Sequence, residues 1–335
     1  MNDSPLMQSL ASAVVDRAHR VVAPPSGRKG VYWTEQLSQE FLDQPVETLI
    51  EHPYFMGLKW DEERKLGFYP CHMEDVIKIW HLSNEQKINW VVDVEGFGSG
   101  KSTKYAVLLW LQVFRLLCRI SPQEYYGLDR RQDLALLCMN RNNRLAKMVT
   151  FRKVLPYFNC PFFRDYFPPV NVPLGTMLDE KNFPSQLRFP KNVVVFPGSA
   201  AQATALGYDI IGGCIDEANH CEVISDSKKS IRSGIYDAAE ETYLNLTDRI
   251  TSRLNPTSPQ DWLFCMLSST GYPGDFCERR IEEVKRKGVF GSRMYAIRRT
   301  TWGAKPWGYS GNWIYFDTTS LKLVSKEEYE AQSAA

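Results

Sequence analysis

Three short clusters in this sequence carry residue types that do phosphate chemistry. The first is VVDVEGFGSGKSTKYAVLLW, residues 91–110. Glycines let consecutive backbone N–H groups curl around an anion, a lysine reaches the β- and γ-phosphates of a nucleotide, and a hydroxyl ligates Mg²⁺. Gly96, Phe97, Gly98, Ser99, Gly100, Lys101, Ser102 and Thr103 form the candidate nucleotide-binding loop, with Lys101 on the phosphates and Ser102 on the metal. The full pattern G-x-x-x-x-G-K-[ST] wants glycine at its first position, where this chain has Glu95. Context compensates for that departure, because the loop follows a strand-like apolar run and opens a helix-like one.

The second cluster is IIGGCIDEANH, residues 210–220. An apolar strand ending in Asp-Glu offers Asp216 to the Mg²⁺ shell and Glu217 as the base that deprotonates an attacking water. The third is MLSST, residues 266–270, where Ser268, Ser269 and Thr270 close a strand. Small hydroxyls there can bond the γ-phosphate or its attacking water and report its presence to the next segment. Each of the last two alone reads better as an ordinary strand end; together with the loop they read as a site.

These clusters need elements to hold them. From residue 88 onward short apolar runs alternate with helix-period segments, which implies an α/β fold with a mainly parallel central sheet flanked by helices. Strands are expected over 88–94, 133–140, 210–217 and 262–270, with a further one over 292–300 and a hairpin over 187–199 turning at Pro190, Lys191 and Asn192. Helices are expected over 101–120, 143–158, 230–254 and 274–288. The domain plan is an arm over 1–30, a mixed, mostly helical region over 31–87 packed on the core, a phosphate-loop core over 88–300, and a linker-like tail over 301–335.

With 335 residues, 44% hydrophobic and 24% charged, the chain has length for a sizeable core, and its net charge of +1 announces no polyanionic partner. Contacts with DNA would rest on local patches: Lys228-Lys229, Arg279-Arg280 with Lys285-Arg286-Lys287, and Arg298-Arg299. The eight cysteines lack C-x-x-C spacing and read as reduced core residues. Cys71-His72 and His220-Cys221 do not have the spacing of a zinc site. No segment has the unbroken ~18 apolar residues of a membrane span, and an intracellular location is expected, which the resemblance described next narrows to the cytoplasm of a host cell.

In their order, the phosphate loop, GSAAQATALGYDIIGGCIDEAN, YDAAEETYLNLTDRITSRL and MLSSTGYPGDFCERRIEE resemble the ATPase domain of the large terminase subunit, the DNA-packaging motor of tailed phages. The resemblance covers residues 80 to 300. It implies a RecA-like P-loop NTPase core using ATP and Mg²⁺, with catalytic Glu217 after metal-binding Asp216 and a coupling motif at Ser268-Ser269-Thr270. It also implies the partners: double-stranded DNA, a portal on a procapsid, a small terminase subunit, and other copies of the chain in a ring. The family's loops commonly read G-G-R-G-S-G-K-S, so Phe97 stands where an arginine would supply charge. Arg253 and then Arg249, four apart on one helix face, are the candidates for an arginine acting on a neighbour's nucleotide. The family's nuclease half has no counterpart in the 35 residues after Thr300, which points to truncation. Other readings kept open are a helicase-type translocase, a P-loop kinase, and a degenerate loop that binds nucleotide only structurally.

Overall fold

The run Lys101–Cys118 is apolar on every side, with a stretch from Tyr105 to Leu111 that contains no charge, and such a helix must be enclosed. In the computed structural model it is the central helix of the molecule, here α2, with Trp110, Leu111 and Val113 fully buried. The structure describes residues 33–173, 176–178, 184–199, 208–224, 236–254, 256–309, 314–317, 320 and 322–333. The arm over 1–30 and the Lys228-Lys229 pair lie outside them.

Seven strands form the main sheet: β1 (Trp90–Glu95), β2 (Leu134–Asn140), β3 (Leu187–Phe189), β4 (Val193–Ser199), β5 (Asp209–Asp216), β6 (Leu263–Ser268) and β7 (Met294–Arg299). Their spatial order is β7-β1-β6-β5-β2-β4-β3. All neighbours are parallel except β3 and β4, the expected hairpin, whose turn residues Lys191 and Asn192 both take positive φ, 60° and 54°. Strands β1, β2, β5 and β6 are buried on both faces, which is why they read as unbroken apolar runs rather than alternating ones. The fold is the α/β P-loop core expected from the alternation of elements.

The sheet order matters for the site. Strand β6 lies between β1, which ends at the phosphate loop, and β5, which ends in Asp216. Because all three are parallel, the loop, Ser268-Ser269 and Asp216-Glu217 emerge on one edge of the sheet, the carboxyl edge where α/β folds place their ligands.

Flanking helices hold this edge. Helix α1 (Pro70–Asn84) packs against α2, and an aromatic cluster of Phe41, Phe55, Phe114 and Phe162 joins residues 33–55 to it. Helix α3 (Ala238–Arg253) is capped by Asp237, which accepts from the N–H groups of Ala239 and Glu240, and Tyr236–Asp237, expected within the helix, are a short strand; residues 230–235 of that expectation lie outside the described residues. Helix α4 (Phe276–Ser292) follows β6. The segment 143–158 is helical but not one α-helix. It is wound wide over Ala146–Phe151 and tightens into a 3₁₀ turn over Leu155–Asn159, where Pro156 contributes no N–H.

Strand β5 depends on two glycines. At Gly213, φ is +142°, and a Cβ there would meet the Leu137 carbonyl oxygen at 2.2 Å, so β5 can lie this close to β2 only without a side chain. Gly213→Ala is expected to lower unfolding free energy by roughly 1–3 kcal/mol. Chemical denaturation measures it, and an unchanged midpoint would mean that the two strands are not held at this separation.

Candidate functional site

Glu95 is the last residue of β1 and is completely buried. It sits in an ionic cluster directly behind the phosphate loop. Lys104 Nζ, on α2, lies 2.8 Å from Glu95 Oε1, 2.8 Å from Asp93 Oδ2 and 3.0 Å from Asp75 Oδ2. Arg299, the last residue of β7, contacts both Asp75 oxygens at 2.7 and 3.1 Å and Glu95 Oε1 at 2.8 Å. His72 Nε2 faces Glu95 Oε2 at 3.3 Å. Burial alone would raise the pKa of Glu95, and its contacts with His72 and Lys104 outweigh that and hold it lowered. Burial pushes the Asp93 carboxyl upward against the pull of Lys104. The residue that breaks the loop pattern is therefore a structural anchor joining α1, β1, α2 and β7.

The loop itself follows from glycine geometry. Gly98 and Gly100 have φ of +70° and +99°, conformations that side chains disfavour. A Cβ on Gly96 would meet Thr301 Oγ1 at 2.1 Å, so the chain after β7 lies directly on the loop. Thr301 also donates to the Phe97 carbonyl at 3.1 Å. Residues 301–307, expected as part of a linker, thus pack on the site: Trp307 meets Trp60 and Tyr69, with ring centroids 4.6 and 5.2 Å apart. Phe97 is 70% exposed, and the Lys101 ammonium lies over its ring, 5.5 Å from the centroid. Ser99 is buried, Ser102 is half-buried on the first turn of α2, and Thr103 meets the Tyr157 hydroxyl.

Across β6, Asp216 Oδ2 accepts from the Thr150 hydroxyl at 3.2 Å and Oδ1 from the Glu217 N–H at 3.1 Å. The wide turn over Ala146–Phe151 carries that threonine. Burial and the neighbouring Glu217 raise the Asp216 pKa, against opposition from Lys153 and Lys101. A carboxylate so short of counter-charge, facing the edge that carries the Ser102 hydroxyl, fits Mg²⁺, which takes few protein oxygens and keeps the rest for water and phosphate. Among the described residues no cluster of three His, Cys, Asp or Glu side chains could hold a metal by itself.

Glu217 has left-handed backbone angles, φ 58° and ψ 42°, an uncommon state for a non-glycine residue that costs roughly 1–3 kcal/mol and clusters at functional sites. Its Oε2 lies 3.4 Å from Ser269 Oγ and 3.5 Å from His220 Nε2. Asn219 ties this turn to two other elements. Its N–H donates to Ser268 Oγ, its Nδ2 to the Ser269 carbonyl, and its Oδ1 accepts from the Cys277 N–H at the start of α4. Ser268 and Ser269 are therefore buried in the site, whereas Thr270 is exposed and makes no hydrogen bond among the described residues.

Arg249 and Arg253 stand elsewhere. Arg249 donates to the Tyr208 carbonyl, and Arg253 pairs with Asp209 at 3.8 Å. Asp209 opens β5 and Asp216 closes it, so at a strand rise of about 3.3 Å per residue these arginines are roughly 23 Å from the carboxylates of their own chain. Several basic residues noted for DNA are engaged in ion pairs: Arg279 with Asp237 and Glu240, Arg280 with Glu240 and Glu283, Arg298 with Glu278, and Arg299 in the buried cluster. No helix among the described residues is long and apolar enough to cross a membrane.

The family described as "Uncharacterized protein MJ0330, N-terminal P-loop domain" matches residues 71–309. The chain belongs to this family. The matched span of this P-loop domain begins beside His72 of the buried cluster and ends at Tyr309, so it takes in the segment that packs on the loop. Among solved structures, the chain is similar to the crystal structure of the HK97 bacteriophage large terminase, at 15% identity and a TM-score of 0.45, over 75% of this chain and 42% of that one. The chain thus spans less than half the length of that terminase. None of the curated proteins matches it.

Asp75, Lys104, Arg299, Thr150, Asn219 and Thr301 were not singled out from the sequence for this site, although Lys104, three residues beyond Lys101 in an otherwise apolar helix, was a legible signal. Glu95→Gly, which would restore the glycine of the loop pattern, is expected to destabilise the protein by about 3–5 kcal/mol, because Lys104 and Arg299 lose a buried partner. Thermal and denaturant unfolding would show it. A variant as stable as the parent would remove the anchoring role.

Proposed function

We propose that this P-loop domain is an ATP hydrolase of the terminase large-subunit type, using ATP and Mg²⁺ to move double-stranded DNA into a procapsid. The observation that carries the hydrolase reading is the meeting of Glu217, Ser269 and Asp216 at the sheet edge that also bears Lys101 and Ser102. Lys101 binds the phosphates, Ser102 and Asp216 hold the metal, and the metal neutralises charge on the phosphate oxygens when bound. Glu217 orients a water and takes its proton, with Ser269 and His220 fixing the carboxylate. Asn219 supports a coupling role: a shift at Ser268 or Ser269 reaches the start of α4 through one side chain.

Translocation, the portal, the small subunit and the ring rest on the sequence resemblance. The same holds for Arg253, with Arg249 second, as a finger for a neighbouring subunit's nucleotide. Arg253 is half-exposed and its partner distance of 3.8 Å is long, which leaves it free to engage a second chain.

Two variants separate binding from turnover. Lys101→Ala is expected to weaken nucleotide binding at least about tenfold through loss of a charge-assisted contact. Glu217→Gln is expected to leave binding intact and lower the hydrolysis rate by roughly 10²–10⁴-fold, since the amide cannot take a proton. Equilibrium binding and phosphate release measure the two, and equal loss of binding in both would refute the assignment. For motor action, wild-type ATPase activity should rise when procapsid with portal and linear DNA are added together. ATP turnover that needs a small phosphate acceptor would instead make the protein a kinase.

A further inference from the structure

The phosphate loop has one side-chain cation of its own, Lys101, and Phe97 adds none. The chain that returns from β7 brings a second. Thr301–Ala304 is a short helical turn fixed by the Thr301 bond to the Phe97 carbonyl, by the Cys71 thiol against the Ala304 carbonyl, and by the Trp307 ring against Trp60 and Tyr69. Lys305 follows at once. Its Nζ lies 3.5 Å from the point that a Cβ on Gly98 would occupy, and Gly98 sits mid-loop, where backbone must approach phosphate. Lys305 is half-buried and, among the described residues, forms no ion pair or hydrogen bond through its ammonium. A lysine held beside an anion-binding loop with no carboxylate to satisfy it is a cation in want of an anion.

We propose that Lys305 is part of the nucleotide site, contacting the polyphosphate across Gly98 and supplying within the same chain the positive charge that Phe97 does not. This deepens the ATPase reading and rests on it. The ammonium stabilises charge on phosphate oxygens and takes no part in proton transfer. The Lys101 ammonium, over the exposed Phe97 ring, would leave that ring for the phosphates when nucleotide enters. The aromatic contacts of Trp307 then have a purpose in the site, since they fix the backbone that carries Lys305.

The test compares wild type, Lys305→Ala, Lys305→Gln and Lys305→Arg in the full chain. Binding of ADP and of a non-hydrolysable ATP analogue is measured with Mg²⁺, alongside ATP turnover. A charged contact of this kind predicts a loss of about 10- to 100-fold in analogue binding or in kcat for the alanine and glutamine variants. Most of it should return with arginine, and thermal midpoints should stay at the wild-type value, because no folded-state partner is lost. A loss confined to the analogue places Lys305 on the γ-phosphate; a loss shared with ADP places it on the β-phosphate. Should the alanine variant fail to fold, the glutamine variant decides the same question. Wild-type binding and turnover in the alanine and glutamine variants would overturn the proposal and leave the ATPase reading standing. A wild-type protein that binds neither nucleotide would overturn both.

Discussion

One ammonium group, Lys104 Nζ, sets the geometry of this site. It is buried between Asp75, Asp93 and Glu95, with Arg299 completing the cluster from the neighbouring strand. Taking such charges out of water costs several kcal/mol each, so the cluster exists only if all partners are in place. That condition is what makes it useful here. The helix that begins at Lys101, the strand that ends at Glu95, helix α1 and the end of β7 must all be docked before the charges balance. The loop is suspended between two of these elements, and its approach to Thr301 is fixed by the end of β7. A glycine at position 95 would free the loop from its support, while a carboxylate there binds it to four elements at once.

The strands and the three chemical clusters were legible because their signals are local. Fully buried parallel strands have few ways to be written, and a glycine-rich turn between a strand and a helix has a mechanical reason to exist. What escaped was assembled from distant segments. Glu95 looked like a flaw in the loop because Arg299, 204 residues later, cannot be paired with it from the text alone. Thr150 looked like an ordinary helix residue because a wide helical turn is not visible in periodicity. The segment after Thr300 looked like a linker because its Gly, Pro and Trp content is that of a surface loop, yet its Trp307 ring packs against Trp60 and Tyr69. Asn219 lay in plain view within the acidic motif, and its role follows from three partners in two other segments.

The two halves of the site are held in different ways, and the difference bears on how the protein could do work. The phosphate side is anchored by buried charge, which is rigid so long as it is complete. The carboxylate side is anchored by longer bonds: Ser269 to Glu217 at 3.4 Å, His220 to Ser269 at 3.5 Å, and a left-handed Glu217 backbone. Contacts of that length are near the limit of a hydrogen bond and shift at small cost. Asn219 links this second half to α4, because its side chain accepts from the Cys277 N–H at the start of that helix. Helix α4 in turn contacts β7 and β1, the strands that end at Arg299 and Glu95. The path from the carboxylate side thus closes on the cluster beneath the loop.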